Sequence, residues 1–218
     1  MAPRDIWMRL GAEFGPYIDK SPPGKIENKY NEKHLLNLLG LGTFDELHTR
    51  LNSVKMPWCS DGISQVTLDN ISPGESEHII ERAEAVLSGY VCLFGSGPIF
   101  FGSPDNIDWY CDYQSDLVWP FDYFHNLDPA DLQRKSDVKF PWELSRLQWL
   151  IPVAQAWRLT GDNQYAEFIQ QTLSAWIDKN PYGWGINWSC TMEPAMRVFT
   201  WCWFYQLYCA WFRNIVGS

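Results

Sequence analysis

The fold class is clearest from one stretch, Lys139 to Trp201, which reads KFPWELSRLQWLIPVAQAWRLTGDNQYAEFIQQTLSAWIDKNPYGWGINWSCTMEPAMRVFTW. Apolar residues recur through it at helical spacing. Gly161-Asp162 and Asn180-Pro181 interrupt it with residue types that end one helix and start the next. The pattern predicts three helices, at 141–160 with a kink at Pro152, at 163–179, and at about 190–213 with Pro194 in its first turn. Such short links join antiparallel helix hairpins, so the predicted fold class is mainly α.

The third predicted helix is apolar nearly all round from Val198 to Phe212, as in a helix that neighbours cover on every side. Two preceding helices cannot cover it, so we expect further helices to pack on it in the intact protein. The apolar run has 15 residues and contains Gln206. It is shorter than the ~20 residues that span a bilayer, so no membrane span is predicted.

Upstream of this stretch the sequence is less regular, and two domains are predicted, at 1–72 and 73–218. Residues 1–30 are rich in Pro and Gly. Helical spacing returns after Pro73, and the aromatic, Gly- and Pro-rich segment 91–128 has the character of an ordered, irregular connection. In the first domain the sequence predicts short helices at Glu32–Leu39 and Phe44–Val54 and a strand around Ser64–Leu68.

Composition excludes several classes of protein. The chain has 218 residues and a net charge of −9, with no basic stripe, which argues against nucleic-acid binding. Its six cysteines form no CxxC pair and no metal-ligand spacing, so neither a metal nor a cofactor is predicted. Met1–Leu10 lacks the apolar run of a signal peptide. Eleven of the 13 tryptophans lie at or after Trp109, which favours an aromatic core, with or without a cleft that stacks on flat ligands.

Two groups of residues are candidates for a binding site. The first is Trp142-Glu143-x-x-Arg146, in which Glu143 and Arg146 are neighbours on a helix. The second is Asn187-Trp188 followed by Glu193 and Arg197, an i, i+4 pair near a helix N-terminus, where anions are favoured.

The second group has two interpretations. The first is a structural ion pair between Glu193 and Arg197 on a buried helix face. The second is a cleft wall, in which Trp188 stacks on a sugar ring, Arg197 meets a carboxylate or sulfate, and Glu193 orients Arg197. Glu143 and Glu193 are also conceivable as the paired carboxylates of a glycoside hydrolase.

Residues 139–207 resemble the N-terminal domain of the heparinase II/III-like polysaccharide lyases. The likeness rests on short motifs in a fixed order: Trp142-Glu143-x-x-Arg146, Thr160-Gly161-Asp162-x-x-Tyr165-Ala166, Trp176-Ile177-x-x-Asn180-Pro181, Asn187-Trp188 and Met192-Glu193-x-x-x-Arg197. A weaker likeness covers Phe94-Gly95 and Ile107-Asp108-Trp109.

The resemblance implies an incomplete α/α toroid, followed in relatives by more helices and a β-sandwich domain. Such enzymes cleave uronic-acid polysaccharides by β-elimination, mostly outside the cytoplasm, which implies a periplasmic or extracellular location. Their catalytic Asn, Tyr and His lie beyond this stretch, so the resemblance assigns no catalytic residue here. It implies an acidic polysaccharide or oligosaccharide as partner and substrate-binding or cleft-supporting roles for seven residues: Asn187, Trp188, Glu193 and Arg197, with Trp142, Glu143 and Arg146 as second candidates.

These observations leave three functions open. The leading one is the substrate-binding part of a polysaccharide lyase that is inactive as this fragment. The others are a non-catalytic carbohydrate-binding or exopolysaccharide accessory protein, and a toroid glycoside hydrolase with two carboxylates.

Overall fold

A computed structural model describes residues 32–53, 70 and 72–216. The fold is mainly helical with a few short strands, as the sequence predicts. The chain divides into two compact units, Met1–Val54 and Lys55–Ser218. The strand predicted around Ser64–Leu68 lies outside the described residues.

The described part of the first unit is a pair of short helices, α1 (Glu32–Leu39) and α2 (Phe44–Ser53). The α1 helix ends at Gly40, whose φ of 67° is in the left-handed region that glycine adopts readily. The Arg50 side chain of α2 donates a hydrogen bond of 3.0 Å to the carbonyl of Leu39 and so joins the two helices.

The described part of the second unit includes α3 (Glu75–Leu87), followed by a hairpin of β1 (Tyr90–Cys92) with β2 (Pro98–Phe100). The two strands are antiparallel, and Val91 faces Ile99. The helix begins at Glu75, after Pro73 as the sequence predicts, and Gly74, with a φ of 81°, is the residue that precedes its first turn.

The segment between β2 and the next helix consists of short elements. A 3-10 turn at Pro104–Asn106 precedes an antiparallel pair, β3 (Cys111–Asp112) and β4 (Leu117–Val118), and a second 3-10 turn follows at Phe124–Asn126. Asp112 is 2% exposed and accepts backbone hydrogen bonds from Gln114 and Asp137. Its carboxylate therefore fastens the loop to the chain just before α4 (Lys139–Ser145).

The single kinked helix predicted at 141–160 is wrong. The structure has α4, a 3-10 turn at Gln148–Leu150, and then α5 (Ile151–Thr160). The helix breaks at Leu147, whose φ of 62° is left-handed and whose side chain is fully buried. Pro152 then lies in the first turn of α5, where its missing N–H costs no hydrogen bond.

The last two helices lie where the sequence predicts them. The α6 helix (Asn163–Lys179) follows the left-handed Gly161 and is capped by the Asp162 side chain, which accepts a hydrogen bond from the backbone N–H of Gln164. A 3-10 turn at Ile186–Trp188 leads into α7 (Met192–Val216). Across the described residues, no helix is long and apolar enough to cross a membrane.

The core of the second unit forms where α5 packs against α3, α6 and α7. Small side chains allow the close approach: Ala83 on α3 and Ala154 and Ala156 on α5 are fully buried. The aromatic and aliphatic residues around them include Trp109, Leu150 and Ile169, which are at most 2% exposed. This core holds α6 and α7 in place, and the candidate site is built at their junction.

Candidate functional site

A buried charge network connects α4 with the start of α7. The guanidinium of Arg146 binds both carboxylate oxygens of Glu193 at 2.8 Å and one oxygen of Glu143 at 2.6 Å. Glu193 is fully buried, and its hydrogen bonds raise the pKa of Arg146 above its usual value. The paired geometry neutralises a carboxylate that would be costly to bury alone.

Arg197 lies beside this network, between two tryptophan rings. Its guanidinium carbon is 4.9 Å from the ring centre of Trp176 and 4.9 Å from that of Trp188. One of its nitrogens donates a hydrogen bond of 2.9 Å to the carbonyl of Asn187. Arg197 is 2% exposed, and burial lowers its pKa to about 10, against the opposing effect of nearby Glu193. Stacking between two rings is an arrangement that a planar guanidinium makes well and an ammonium does not.

Asn187 and Trp142 secure the turn before α7. The fully buried Asn187 amide donates to the backbone carbonyl of Trp109 at 3.0 Å and to the side-chain oxygen of Asn180 at 2.9 Å. The indole N–H of Trp142 donates to the carbonyl of Ile186 at 2.9 Å. The bond to Trp109 gives a partner to a backbone carbonyl in the core, and together the three bonds join the turn to Trp109, Asn180 and Trp142.

The seven predicted residues therefore come together around the 3-10 turn Ile186–Trp188. The predicted hydrogen-bonded pair of Glu193 and Arg197 is not what forms, because Glu193 binds Arg146 across the fold instead. Four of the seven have side chains inside the protein, and three are partly exposed: Trp188, Glu143 and Arg146. The seven residues mainly bind one another and the backbone, so they hold the turn before α7 in place. Contact of these residues with a sugar remains a prediction.

An open cleft lies next to this support, with a volume of about 520 Å³. Trp109 lies beneath the cleft with no exposed surface, and its carbonyl accepts the hydrogen bond from Asn187. Phe121 forms part of the wall, is 56% exposed, and stacks on Trp184 with 5.6 Å between ring centres. An aromatic wall with a few polar groups is typical of a ligand site of this size.

Charged and polar groups line the rest of the cleft: Asn106, Asp108, Tyr110, Asp178 and Lys179. The Tyr110 hydroxyl donates a hydrogen bond of 2.6 Å to the carbonyl of Lys179, and burial raises the pKa of Tyr110 well above its usual value. The Lys179 ammonium donates to the carbonyls of Asp105 and Ile107. These bonds join the 3-10 turn Pro104–Asn106 to the end of α6 and fix the shape of the cleft.

Sequence reasoning did not identify this cleft, because its residues come from three separate segments with no shared motif. The available signals were the weak motif Ile107-Asp108-Trp109 and the Asn180-Pro181 turn. In the described ranges, no cluster of three or more His, Cys, Asp or Glu residues could hold a metal ion.

A family model described as "Heparinase II/III N-terminus" matches residues 76–207, which include both the charge network and the aromatic cleft. No curated protein and no solved structure matches the chain.

Proposed function

The chain belongs to the heparinase II/III N-terminus family, and on that basis we propose that it is the substrate-binding part of a polysaccharide lyase. In this proposal the substrate is a uronic-acid polysaccharide, cleaved by β-elimination in the complete enzyme. The helices α3 and α5–α7 would form the first part of an α/α toroid. Further helices and a β-sandwich domain, as the resemblance implies, would complete the enzyme and supply the catalytic groups.

The observation that carries the proposal is the position of the aromatic cleft within the family match. Trp109, Phe121 and Asp178 all lie inside residues 76–207 and line one cleft. Aromatic faces and carboxylates are suited to sugars, because a pyranose has an apolar face and a rim of hydroxyl donors. Asn187 joins the carbonyl of Trp109, beneath the cleft, to Arg197, which donates a hydrogen bond to the carbonyl of Asn187.

In this proposal the seven predicted residues act mainly as supports. Arg197 has one nitrogen without a hydrogen-bond partner among the described residues, but it is 2% exposed and lies between two rings. Arg146, at 18% side-chain exposure, is the most accessible cation of the network. It is the group through which the network would contact a uronate carboxylate.

The geometry does not favour a glycoside hydrolase. Glu143 and Glu193 both bind Arg146, so the two carboxylates converge on one cation and do not flank a space for a sugar. Glu193 has no exposed surface. The non-catalytic accessory protein remains the second candidate, since it requires the same cleft and differs only in the absence of cleavage.

The proposal is tested by binding and product analysis with the chain and with a longer protein that contains the further domains. We expect uronic-acid oligosaccharides to bind the chain, and the longer protein alone to release 4,5-unsaturated uronates, detected by their ultraviolet absorbance. Binding without cleavage by either protein would favour the accessory role. Saturated reducing ends would indicate hydrolysis, and no sugar binding would overturn the proposal.

A further inference from the structure

A second, polar cleft adjoins the aromatic cleft along α6. It has a volume of about 400 Å³, and Asp178 lines both clefts. Exposed residues at spacings of three and four form one face of α6 there: Glu167, Gln170, Gln171, Ser174 and Asp178. From Glu167 to Asp178 this face extends ~16 Å along the helix axis. We call the surface formed by both clefts the α6 groove.

The α6 groove has an excess of negative charge. Asp105, Asp108, Glu167 and Asp178 line it, against the single ammonium of Lys179. That ammonium is also held by two backbone carbonyls. A cleft lined by one sign of charge repels ligands of the same sign, so the carboxylated or sulfated units of a polysaccharide would be disfavoured here. The aromatic cleft therefore supports the proposed function through the uncharged units of the substrate.

The groove nevertheless offers the groups that bind uncharged sugars. Within the described part of the chain, the side chains of Glu167, Gln170 and Asp178 have no hydrogen-bond or ion-pair partner, so their oxygens can accept bonds from ligand hydroxyls. At the other end, Phe121 presents an exposed ring next to Trp184. Hydroxyl donors and an apolar face occur together on neutral pyranose units.

We propose that the α6 groove is a binding site for the uncharged, hydroxyl-rich units of a polysaccharide, separate from any contact with its uronates. The inference rests on the proposed function in taking the ligand to be a carbohydrate. Uncharged units bind where Glu167 and Asp178 accept their hydroxyls and Phe121 stacks on a ring. Carboxylated units are directed away from this groove by its charge.

The test compares two sugars that differ only at C6, where a carboxylate replaces a hydroxymethyl group, by calorimetric titration of the chain. The first is the β-1,4-linked glucose hexasaccharide, with the mannose and N-acetylglucosamine hexasaccharides as further neutral probes. The second is the β-1,4-linked glucuronate hexasaccharide, which has the glucose skeleton with carboxylates at C6. We expect at least one neutral hexasaccharide to bind about tenfold or more tightly than the glucuronate one at low salt.

Variants assign the effect to the groove. Phe121→Ala should weaken neutral binding by about threefold to tenfold. The double variant Glu167→Gln, Asp178→Asn should weaken neutral binding and strengthen glucuronate binding, whereas Glu81→Gln, an exposed carboxylate on α3, should change neither. All substituted side chains are exposed, so circular dichroism should show an unchanged fold.

Two results would overturn the inference. One is the absence of binding by any neutral hexasaccharide; the other is neutral binding that all these variants leave unchanged. In either case, binding of uronic-acid oligosaccharides elsewhere on the chain would leave the proposed function standing. Failure of both neutral and uronate sugars to bind would remove both proposals.

Discussion

Arg146 and Glu193 are 47 residues apart in sequence and are joined by two hydrogen bonds of 2.8 Å each. Each oxygen of the carboxylate receives one guanidinium nitrogen, which is the geometry in which arginine binds carboxylates most strongly. The pair fixes the start of α7 against α4. The two groups of site residues predicted from the sequence are thus joined by this pair, because Arg146 belongs to the first group and Glu193 to the second.

Replacement of Arg146 by Met should destabilise the protein strongly. The change leaves Glu193 charged and buried without its partner, which costs about 3–5 kcal/mol in the free energy of unfolding. Arg82→Met is the matched control, because Arg82 pairs with Glu75 at 3.5 Å with side chains 58% and 40% exposed, and such pairs contribute about 1 kcal/mol or less. Urea unfolding followed by circular dichroism measures both, and equal losses would contradict the structural role of the network.

Gly185→Ala should be more destabilising than Gly161→Ala. Gly161 is in the left-handed α region, with φ 72° and ψ 7°, where alanine costs about 1–2 kcal/mol. Gly185 has φ 82° and ψ 169°, a region essentially confined to glycine, where another residue costs about 1–3 kcal/mol. A Cβ at Gly185 would also overlap the ring of Tyr110 in the aromatic cleft, while one at Gly161 would meet nothing within 4 Å. We expect an additional loss of about 1–3 kcal/mol at Gly185, and similar midpoints of thermal unfolding would refute the close contact.

Tyr165 should make stability fall in alkaline solution. Burial and its hydrogen bond to the Glu84 carboxylate raise the pKa of Tyr165 from 10.0 to about 12. The unfolded chain therefore loses this proton first, and the stabilisation is complete below pH 10 and is lost as the pH rises through 12. The free energy of unfolding of the unmodified protein should decline more steeply between these values than that of Tyr165→Phe. Parallel declines would show that Tyr165 does not contribute.

Asn187→Ala should destabilise the turn before α7. The change leaves the Trp109 carbonyl and the Asn180 side-chain oxygen without their donor, at a cost of about 1–3 kcal/mol. Asn126→Ala is the control, because the amide of Asn126 makes an exposed hydrogen bond of 3.1 Å to Asp122. Denaturant midpoints compare the two variants, and a loss at Asn126 as large as that at Asn187 would be inconsistent with the burial of Asn187.

Local sequence signals predicted the helices well. Gly161 and Asp162 marked the boundary between α5 and α6, because glycine readily takes the left-handed conformation that ends a helix and the Asp162 side chain caps the next one. The break at Leu147 could not be predicted in the same way, since leucine favours helices and adopts its left-handed φ of 62° only in its buried environment.

The candidate site shows the same division between local and long-range information. Helical spacing suggested that Glu193 would pair with Arg197, yet the partner of Glu193 is Arg146. The two residues come near each other only because α4 and α7 both contact the 3-10 turn Ile186–Trp188. The aromatic cleft depends on long-range contacts as well, because Phe121 and Asp178 become neighbours only after the loop folds onto α6.

The bond between Arg146 and Glu193 also sets an order of events during synthesis. When α4 leaves the ribosome, Glu143 is already available to Arg146, three residues away, and Glu193 has not yet been synthesised. Glu193 follows 47 residues later, and a loop of that length must close before the two can meet. Contacts so distant in sequence form late in folding. The first turn of α7 is therefore among the last parts of the unit to be fixed. In a nascent chain whose α7 is still inside the ribosome, Arg146 would stay hydrated and would lack its partner Glu193.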